Sequence, residues 1–354
     1  MQTRTALVVG STGVVGQNLA KQLIGNGWNV FGLSRGAQVV EGVRGLAADL
    51  RDAEAVRAQL QGLDVTDVFI SAWVRHATEA ENVRVNGGIV ENVFAGLAGA
   101  KNLQHAALVT GTKQYLGPFE AYGQAAAETP FREDTPRLPG LNFYYTQEDV
   151  MFAAAERMGF GWSVHRPHTI VGFAVGNAMN MGSTLAVYAT LCRERGERFV
   201  FPGSVEQWNA LTDVTDARLL AEHLEWAAVT PAARDQAFNV VNGDVFRWRW
   251  LWPQLAAYFG VEWDGPPAGG APLEARMGFA ASAWKDIAAK YGLTEIDVNR
   301  VASWWHTDGD LGRKIECVND MSKSRRLGFT AHQDTPRSFF DLFERMKAEQ
   351  LIPV

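Results

Sequence analysis

The sequence predicts an α/β protein: a doubly wound parallel sheet with helices on both faces and a smaller C-terminal lobe. Three observations carry this. Short apolar runs alternate with stretches of helical spacing through the first half of the chain. A turn with three glycines, "VVGSTGVVG" at 8–16, joins the first such pair. After about Phe173 the alternation fades, and eight of the twelve tryptophans lie from Trp226 onward.

The elements follow in order. "TALVVG" reads as a buried parallel strand and "VVGQNLAKQLIGNG" as a helix closed by Gly25 and Gly27. "WNVFGLSR" and "VRGLAADL" are the second and third strands, the latter ending at Asp49. "AEAVRAQLQGL" is a helix, "VTDVFISAW" the fourth strand, "VNGGIVENVFAGLAGA" a helix and "LQHAALVTG" the fifth strand. Beyond Gly111 a long Pro- and Gly-rich stretch interrupts the pattern, as functional loops do. "YYTQEDVMFAAAERMG" resumes as a helix, "GWSVHRPHTIVG" as a strand, and "FNVVNGD" as a late strand returning to the sheet. "WDGPPAGGAPLEARM" reads as a surface loop. The tryptophans of "RWRWLWPQL" and "ASWWHT" suit a core first and a pocket floor second.

The bulk numbers narrow the function. At 354 residues, 47% hydrophobic and 20% charged, the chain can bury a sizeable core. A net charge of -6 argues against a nucleic-acid surface, which needs a basic face. Cys192 and Cys317 are too few for a disulfide framework or a cysteine metal site, and read as reduced, buried thiols. The start "MQTRTALVVG" passes directly into a strand, without the pattern of a secretory leader. No apolar run nears the ~20 residues of a membrane span. A cytoplasmic location with no membrane partner is expected. His165 and His168 fall three apart on a strand, pointing to opposite faces, so no metal is expected there.

The glycine loop gains meaning from its place between a strand and a helix. Gly10 allows the tight turn, Gly13 lets backbone approach a pyrophosphate, and Gly16 lets helix and sheet pack closely. The helix N-terminus offers N–H groups to phosphate. This is the Rossmann-type fingerprint, in the three-and-three spacing of extended short-chain dehydrogenases. A dinucleotide would rest on Gly10, Thr12, Gly13, Val14, Val15 and Gly16. At the end of the second strand, where an NAD enzyme carries an acid, this chain has Ser34 and Arg35. A guanidinium suits a 2′-phosphate, which favours NADPH. Asp49 and Leu50 would lie near adenine, and Ser71, Ala72 and Trp73 near the ribose and nicotinamide, with Thr110 and Gly111 after the fifth strand.

Ordinary short-chain dehydrogenases pair a tyrosine with a lysine four residues on, which shares one helix face. None of the seven tyrosines here has that lysine. Lys113 lies just past the fifth strand, at the carboxyl edge of the sheet, and Tyr144 and Tyr145 open the next helix. The two segments could converge.

Taken together, "GSTGVVG", "GLSRG", "TGTKQYLGPFE", "PRLPGLNFYYTQEDV" and "WSVHRPHTIVGF" resemble the progesterone 5β-reductase/iridoid synthase-like enone reductases, atypical extended short-chain dehydrogenases. "LTDVTDARLLAEHLEWA" and "AFNVVNGDVFRW" extend the resemblance. It implies that Lys113 and Tyr144 flank the substrate, with Tyr145 the second choice. It also places Arg166 to Gly172, with Arg166, Thr169 and Ile170, beside the nicotinamide. The family often has two basic residues after the second strand, whereas here Gly36 follows Arg35. The implied chemistry is 1,4-reduction of a C=C bond conjugated to a carbonyl, with NADPH as hydride donor. Tyr144 would stand at the carbonyl oxygen, its phenol expected to be made more acidic by Lys113 and by the positive charge of oxidised nicotinamide, with holding the cofactor ribose as a further role open to Lys113.

The chain then divides into 1–172, the NADPH-binding part with returning elements near 209–245, and 173–354, mainly a substrate lobe. Phe173, Met179, Met181, Phe201 and Trp208 are candidate walls for a small apolar enone or enal. A homodimer is compatible with the sequence but not required by it. Two other functions fit the same fold: an NADPH-dependent aldehyde or ketone reductase, and a non-enzymatic NADP(H)-sensing protein.

Overall fold

The computed structural model describes residues 4–36, 40–118, 128–176 and 179–354. Residues 119–127, which include Phe119 and Glu120 of the motif quoted above, lie outside the described residues. The chain begins β1 (Thr5–Val9), α1 (Val14–Gly25), β2 (Asn29–Ser34), β3 (Arg44–Ala47), α2 (Ala53–Leu60), β4 (Asp67–Ile70), α3 (Glu79–Gly96) and β5 (His105–Val109). It continues through a single turn α4 (Lys113–Leu116), then α5 (Phe143–Met158), β6 (Gly161–Pro167), β7 (Ile170–Val171), α6 (Met181–Arg195), β8 (Phe199–Val200), α7 (Val205–Asn209), β9 (Thr215–Asp216), α8 (Ala217–Val229) and β10 (Gln236–Val240). Last come α9 (Trp248–Phe259), β11 (Trp263–Asp264), α10 (Leu273–Arg276), α11 (Ala280–Tyr291), α12 (Trp304–Leu311), α13 (Ser322–Arg326) and α14 (Thr335–Ala348).

The main sheet has seven strands in the order β10-β6-β5-β4-β1-β2-β3, every neighbouring pair parallel. Strand order runs outward from β1 to β3, then reverses to the other side of β1 at β4. Such a reversal opens a crevice at the carboxyl ends of β1 and β4, where the Gly10 turn lies. One face of the sheet is covered by α1 and α8, with Leu19, Leu23, Leu220 and Leu224 packed on Val8, Phe69 and Phe238. The other is covered by α2, α3 and α5 through Val56, Leu60, Val90, Phe94 and Met151. A separate cluster runs from Val171 to Ile352 around the buried Trp248, Trp252 and Trp284. The doubly wound parallel sheet is thus as predicted.

Local chemistry explains the boundaries. Asp52, Thr78 and Asn142 cap α2, α3 and α5 by accepting from N–H groups of the first turn. Gly159 ends α5 in the left-handed region at φ 82°. Two expectations change. The helix read from Val85 starts at Glu79, two charged turns earlier. The single strand read over 161–172 breaks after Pro167. There the His168 N–H turns to Thr215 Oγ1 (3.0 Å), and Ile170–Val171 pair with Thr215–Asp216 in a small second sheet. No helix among the described residues is long and apolar enough to cross a membrane.

Candidate functional site

Two cavities open along the crevice, of about 640 and 180 Å³. Both are lined by Gly13, Ser71, Trp73 and Met179, so they meet at that wall.

The glycine turn is shaped by backbone crowding. Gly10 sits at φ 86°, and its N–H donates to Leu33 O at 2.9 Å. A Cβ on Gly16 would lie 2.2 Å from Gly10 O, so the first turn of α1 rides directly on the loop. Gly13 caps α1 with no side-chain bond, and no acidic residue occupies the first turn. The N–H groups of Val14, Val15 and Gly16 meet no acceptor among the described residues. An anion from outside suits that arrangement. Thr12 and Gly13 line the larger cavity, Val14 and Val15 the smaller one.

Around the larger cavity lie Ser34, Arg35, Asp49, Leu50, Ala72 and Trp73. The Asp49 carboxylate grips Arg51, whose Nε donates to Oδ1 at 3.0 Å and whose second terminal nitrogen donates to Oδ2 at 2.6 Å. Those bonds, with the Arg51 backbone N–H, pull the Asp49 carboxyl down to about 2.

The smaller cavity joins Thr110, Gly111, Lys113, Tyr144, Thr169 and Ile170. Lys113 is sealed from solvent, and its Nζ donates to Glu79 Oε2 at 2.5 Å. Glu79 Oε1 accepts the Phe143 N–H at 2.8 Å, so one carboxylate ties α3 and α4 to the start of α5. Asn142 completes the knot: its Nδ2 donates to Lys113 O (3.0 Å) and its Oδ1 accepts the Tyr144 N–H (3.1 Å). Lys113 Nζ also stands 4.4 Å from the Phe143 ring centre, a cation–π contact.

The two tyrosines part company. Tyr145 Oη donates to Gln114 O at 2.8 Å and accepts the Leu138 N–H at 3.0 Å, a structural role that consumes it. Tyr144 lines the cavity, its hydroxyl lying 3.2 Å from where a Cβ on Gly111 would be. The chain's own residues do not acidify the phenol in the way expected of Lys113. Burial first, and then the Glu79 carboxylate, push the Tyr144 hydroxyl well above its usual range. The Lys113 ammonium is paired with the Glu79 carboxylate.

Other expectations also change. Arg166 lines neither cavity; it is buried between Glu148 Oε1 (3.4 Å) and Tyr115 Oη (3.3 Å). Among the proposed apolar walls only Met179 lines the crevice. Met181 and Phe201 belong to the Trp248 cluster, and Phe173 and Trp208 pack against it. The walls come instead from Val175, Ala302, Trp304 and Trp305.

The sequence reading missed Glu79, Arg51 and a buried polar group beside the smaller cavity. There His168 Nδ1 lies 2.8 Å from Asp213 Oδ1, and Arg313 contacts His168 and Asp310. Asp310 also accepts from Thr169 Oγ1 at 3.0 Å. His165 belongs to a different set, hydrogen-bonded to Ser163 and His223.

Comparison with known proteins adds to this geometry. Residues 33–353 match the model of the PRISE-like Rossmann-fold domain family. The chain is 40% identical over 364 residues to an (S)-8-oxocitronellyl enol synthase from Camptotheca acuminata, covering 98% of this chain and 93% of the relative. It is 38% identical over 362 residues to a 3-oxo-Delta(4,5)-steroid 5-beta-reductase from Arabidopsis thaliana, with the same coverage of 98% and 93%. Among solved structures it is similar to a short-chain dehydrogenase/reductase superfamily protein from Agrobacterium tumefaciens, solved with bound NAD. The TM-score is 0.66 at 15% identity, over 98% of this chain and 100% of that one. A putative epimerase from Burkholderia cenocepacia gives a TM-score of 0.67 at 18% identity, over 98% of each chain. At those identities the likeness is one of fold.

Proposed function

The chain belongs to the PRISE-like Rossmann-fold family, and from that premise we propose that it is an NADPH-dependent reductase of the C=C bond of α,β-unsaturated carbonyl compounds. The observation that carries this reading is the placing of Tyr144 and Lys113 on one cavity at the sheet's carboxyl edge, with no Tyr-x-x-x-Lys pair anywhere in the chain. That cavity adjoins a glycine turn whose bare helix N-terminus fits a pyrophosphate.

NADPH, when bound, would supply a hydride to the carbon β to the carbonyl, and the enolate left on the substrate would take its α-carbon proton from water. The Gly10–Gly16 turn would hold its pyrophosphate, Ser34 and Arg35 its 2′-phosphate, and Thr110, Gly111, Thr169 and Ile170 would border its nicotinamide. Tyr144 stays a neutral phenol and donates a hydrogen bond to the substrate oxygen. The bond strengthens as negative charge gathers there, so it favours the transition state over the ground state. Lys113, locked to Glu79, holds the start of α5 in place through Phe143 and so fixes where the Tyr144 hydroxyl sits. Trp304, Trp305, Val175 and Ala302 offer the apolar surface that a small enone or enal needs.

The test is NADPH consumption with 2-cyclohexen-1-one, with the product identified by chromatography and mass spectrometry and Tyr144→Phe run in parallel. Saturated ketone from the parent chain and little from the variant supports the reading. Allylic alcohol assigns the chain to carbonyl reduction. Tight NADPH binding without turnover of this or larger enones and aldehydes assigns it to NADP(H) sensing.

A further inference from the structure

The motif after β2 supplies one cation, Arg35, and then Gly36. The fold brings a second cation to the same place. Strands β2 and β3 are parallel neighbours in the register Ser34↔Ala47, so residues 34–35 and 49–51 leave the sheet side by side at its carboxyl edge. Ser34, Arg35, Asp49 and Arg51 all line the larger cavity, together with Gly10 and Thr12 of the glycine turn.

A guanidinium has two forked edges. Asp49 takes one of them: Arg51 Nε lies 3.0 and 3.2 Å from its two oxygens, and one terminal nitrogen lies 2.6 Å from Oδ2. The Arg51 backbone N–H also donates to Oδ1 at 3.0 Å. The opposite edge, carrying the other terminal nitrogen, meets no acceptor among the described residues. The ion pair directs the half-exposed side chain and leaves one fork open. Both Asp49 oxygens are already taken by Arg51. Asp49 thus serves as the anchor of Arg51, and the end of β2, where a ribose-binding acid would stand, carries Ser34 and Arg35 instead. Arg35, Arg51 and Asp49 together carry one net positive charge beside the cavity.

We infer that Arg51 is the second cation of a phosphate clamp, closing with Arg35 on the 2′-phosphate of NADPH, and that Asp49 is the tether that aims it. This rests on the proposed use of NADPH. The arrangement replaces adjacent basic residues after β2 with one from each of two neighbouring strands. Arg51 is a specificity-determining residue in this scheme and takes no part in the reacting centre.

The experiment is calorimetric titration of the full-length chain with 2′,5′-ADP, 5′-AMP, NADP+ and NAD+, for the parent, Arg35→Ala and Arg51→Ala. A charge-assisted hydrogen bond lost from a phosphate corresponds to roughly ten-fold or more in affinity. Arg51→Ala is expected to weaken 2′,5′-ADP and NADP+ by about ten-fold while changing 5′-AMP and NAD+ by less than about two-fold. Equal weakening of all four ligands, or of none, overturns the assignment while the parent's preference for NADP+ still stands. A parent chain that binds NAD+ and NADP+ alike overturns the NADPH reading itself, and this inference with it.

Discussion

Lys113 Nζ and Glu79 Oε2 meet at 2.5 Å, with 1% and 9% of their side chains exposed. The pair is buried yet lies at the wall of a cavity, and the carboxylate's second oxygen holds the first N–H of α5. A buried ion pair is weak evidence for stability in itself, but breaking one half leaves an uncompensated charge, at a cost of about 3–5 kcal/mol. Glu79→Ala is therefore expected to be more harmful than the double variant Glu79→Gln, Lys113→Met. A double-mutant cycle of Glu79→Gln, Lys113→Met and the two combined, with Glu79→Ala alongside, in urea denaturation checks it. Additive losses would show that the two side chains are not coupled.

Tyr144 is held as a neutral phenol by burial and by the Glu79 carboxylate. A phenol's ordinary pKa is ~10, so a raised value keeps the donor proton in place through the neutral and mildly alkaline range. With an enone substrate, kcat should show no descending limb below about pH 10 that Tyr144→Phe removes. The substitution itself should cost about 10²–10³ in kcat, as for one donor to a developing oxyanion. A limb near pH 8 that vanishes in the phenylalanine variant would mean that the phenol is acidified.

The alternation of apolar runs and helical spacing was enough to read the sheet and the glycine turn, because each is a local signal. Lys113 and Tyr144 were legible through their motifs, and the cavity joins them. Glu79 was not: it sits in the charged run "TEAENVRVN", where a buried carboxylate looks like any solvated helix start. Arg166 looked like a cofactor contact and is claimed by Glu148, eighteen positions earlier on α5, a pairing no spacing rule reveals. Four of the five apolar wall candidates, all but Met179, lie in or against the core for a similar reason. Any of several aromatic residues can fill a core, and only the packing of α6 and α9 decides that Phe201 does so while Trp305 faces the crevice.

A second buried chain of polar groups predicts how the fold responds to acid. His105 Nε2 lies 2.9 Å from Ser163 Oγ, which lies 2.8 Å from His165 Nε2, and His165 Nδ1 lies 3.0 Å from His223 Nδ1. Burial lowers His105 and His223 to about 3, and His165 well below its usual value. In the unfolded chain each titrates at ~6.5. Below that pH the unfolded state binds protons that the folded state refuses, so the stability present above ~6.5 is lost as pH falls toward 3. Each histidine adds up to about 1.4 kcal/mol per pH unit to that loss. Urea midpoints measured from pH 7 to 5 should fall steeply, and His223→Phe should flatten the fall by about one proton's worth. An unchanged slope would mean that His223 is already protonated in the fold.

Two glycines separate binding from positioning. At Gly16 an added Cβ would stand 2.2 Å from Gly10 O, backbone against backbone, and neither can yield without opening the turn between β1 and α1. Gly16→Ala should lower both nucleotide affinity and the unfolding midpoint. At Gly111 the added carbon would stand 3.2 Å from the Tyr144 hydroxyl and 3.2 Å from Pro167 O, close enough to displace the hydroxyl by a few tenths of an ångström. Gly111 lies outside the left-handed region, so alanine there carries no backbone strain. Gly111→Ala should therefore leave the unfolding midpoint nearly unchanged, while kcat on an enone falls by about ten-fold, since small misplacements at a reacting centre are costly. Steady-state kinetics and thermal unfolding on the two variants check the contrast. If Gly111→Ala turned over at the parent rate, the Tyr144 hydroxyl would not need the position it occupies above Gly111, and its role as the donor to the substrate oxygen would fall.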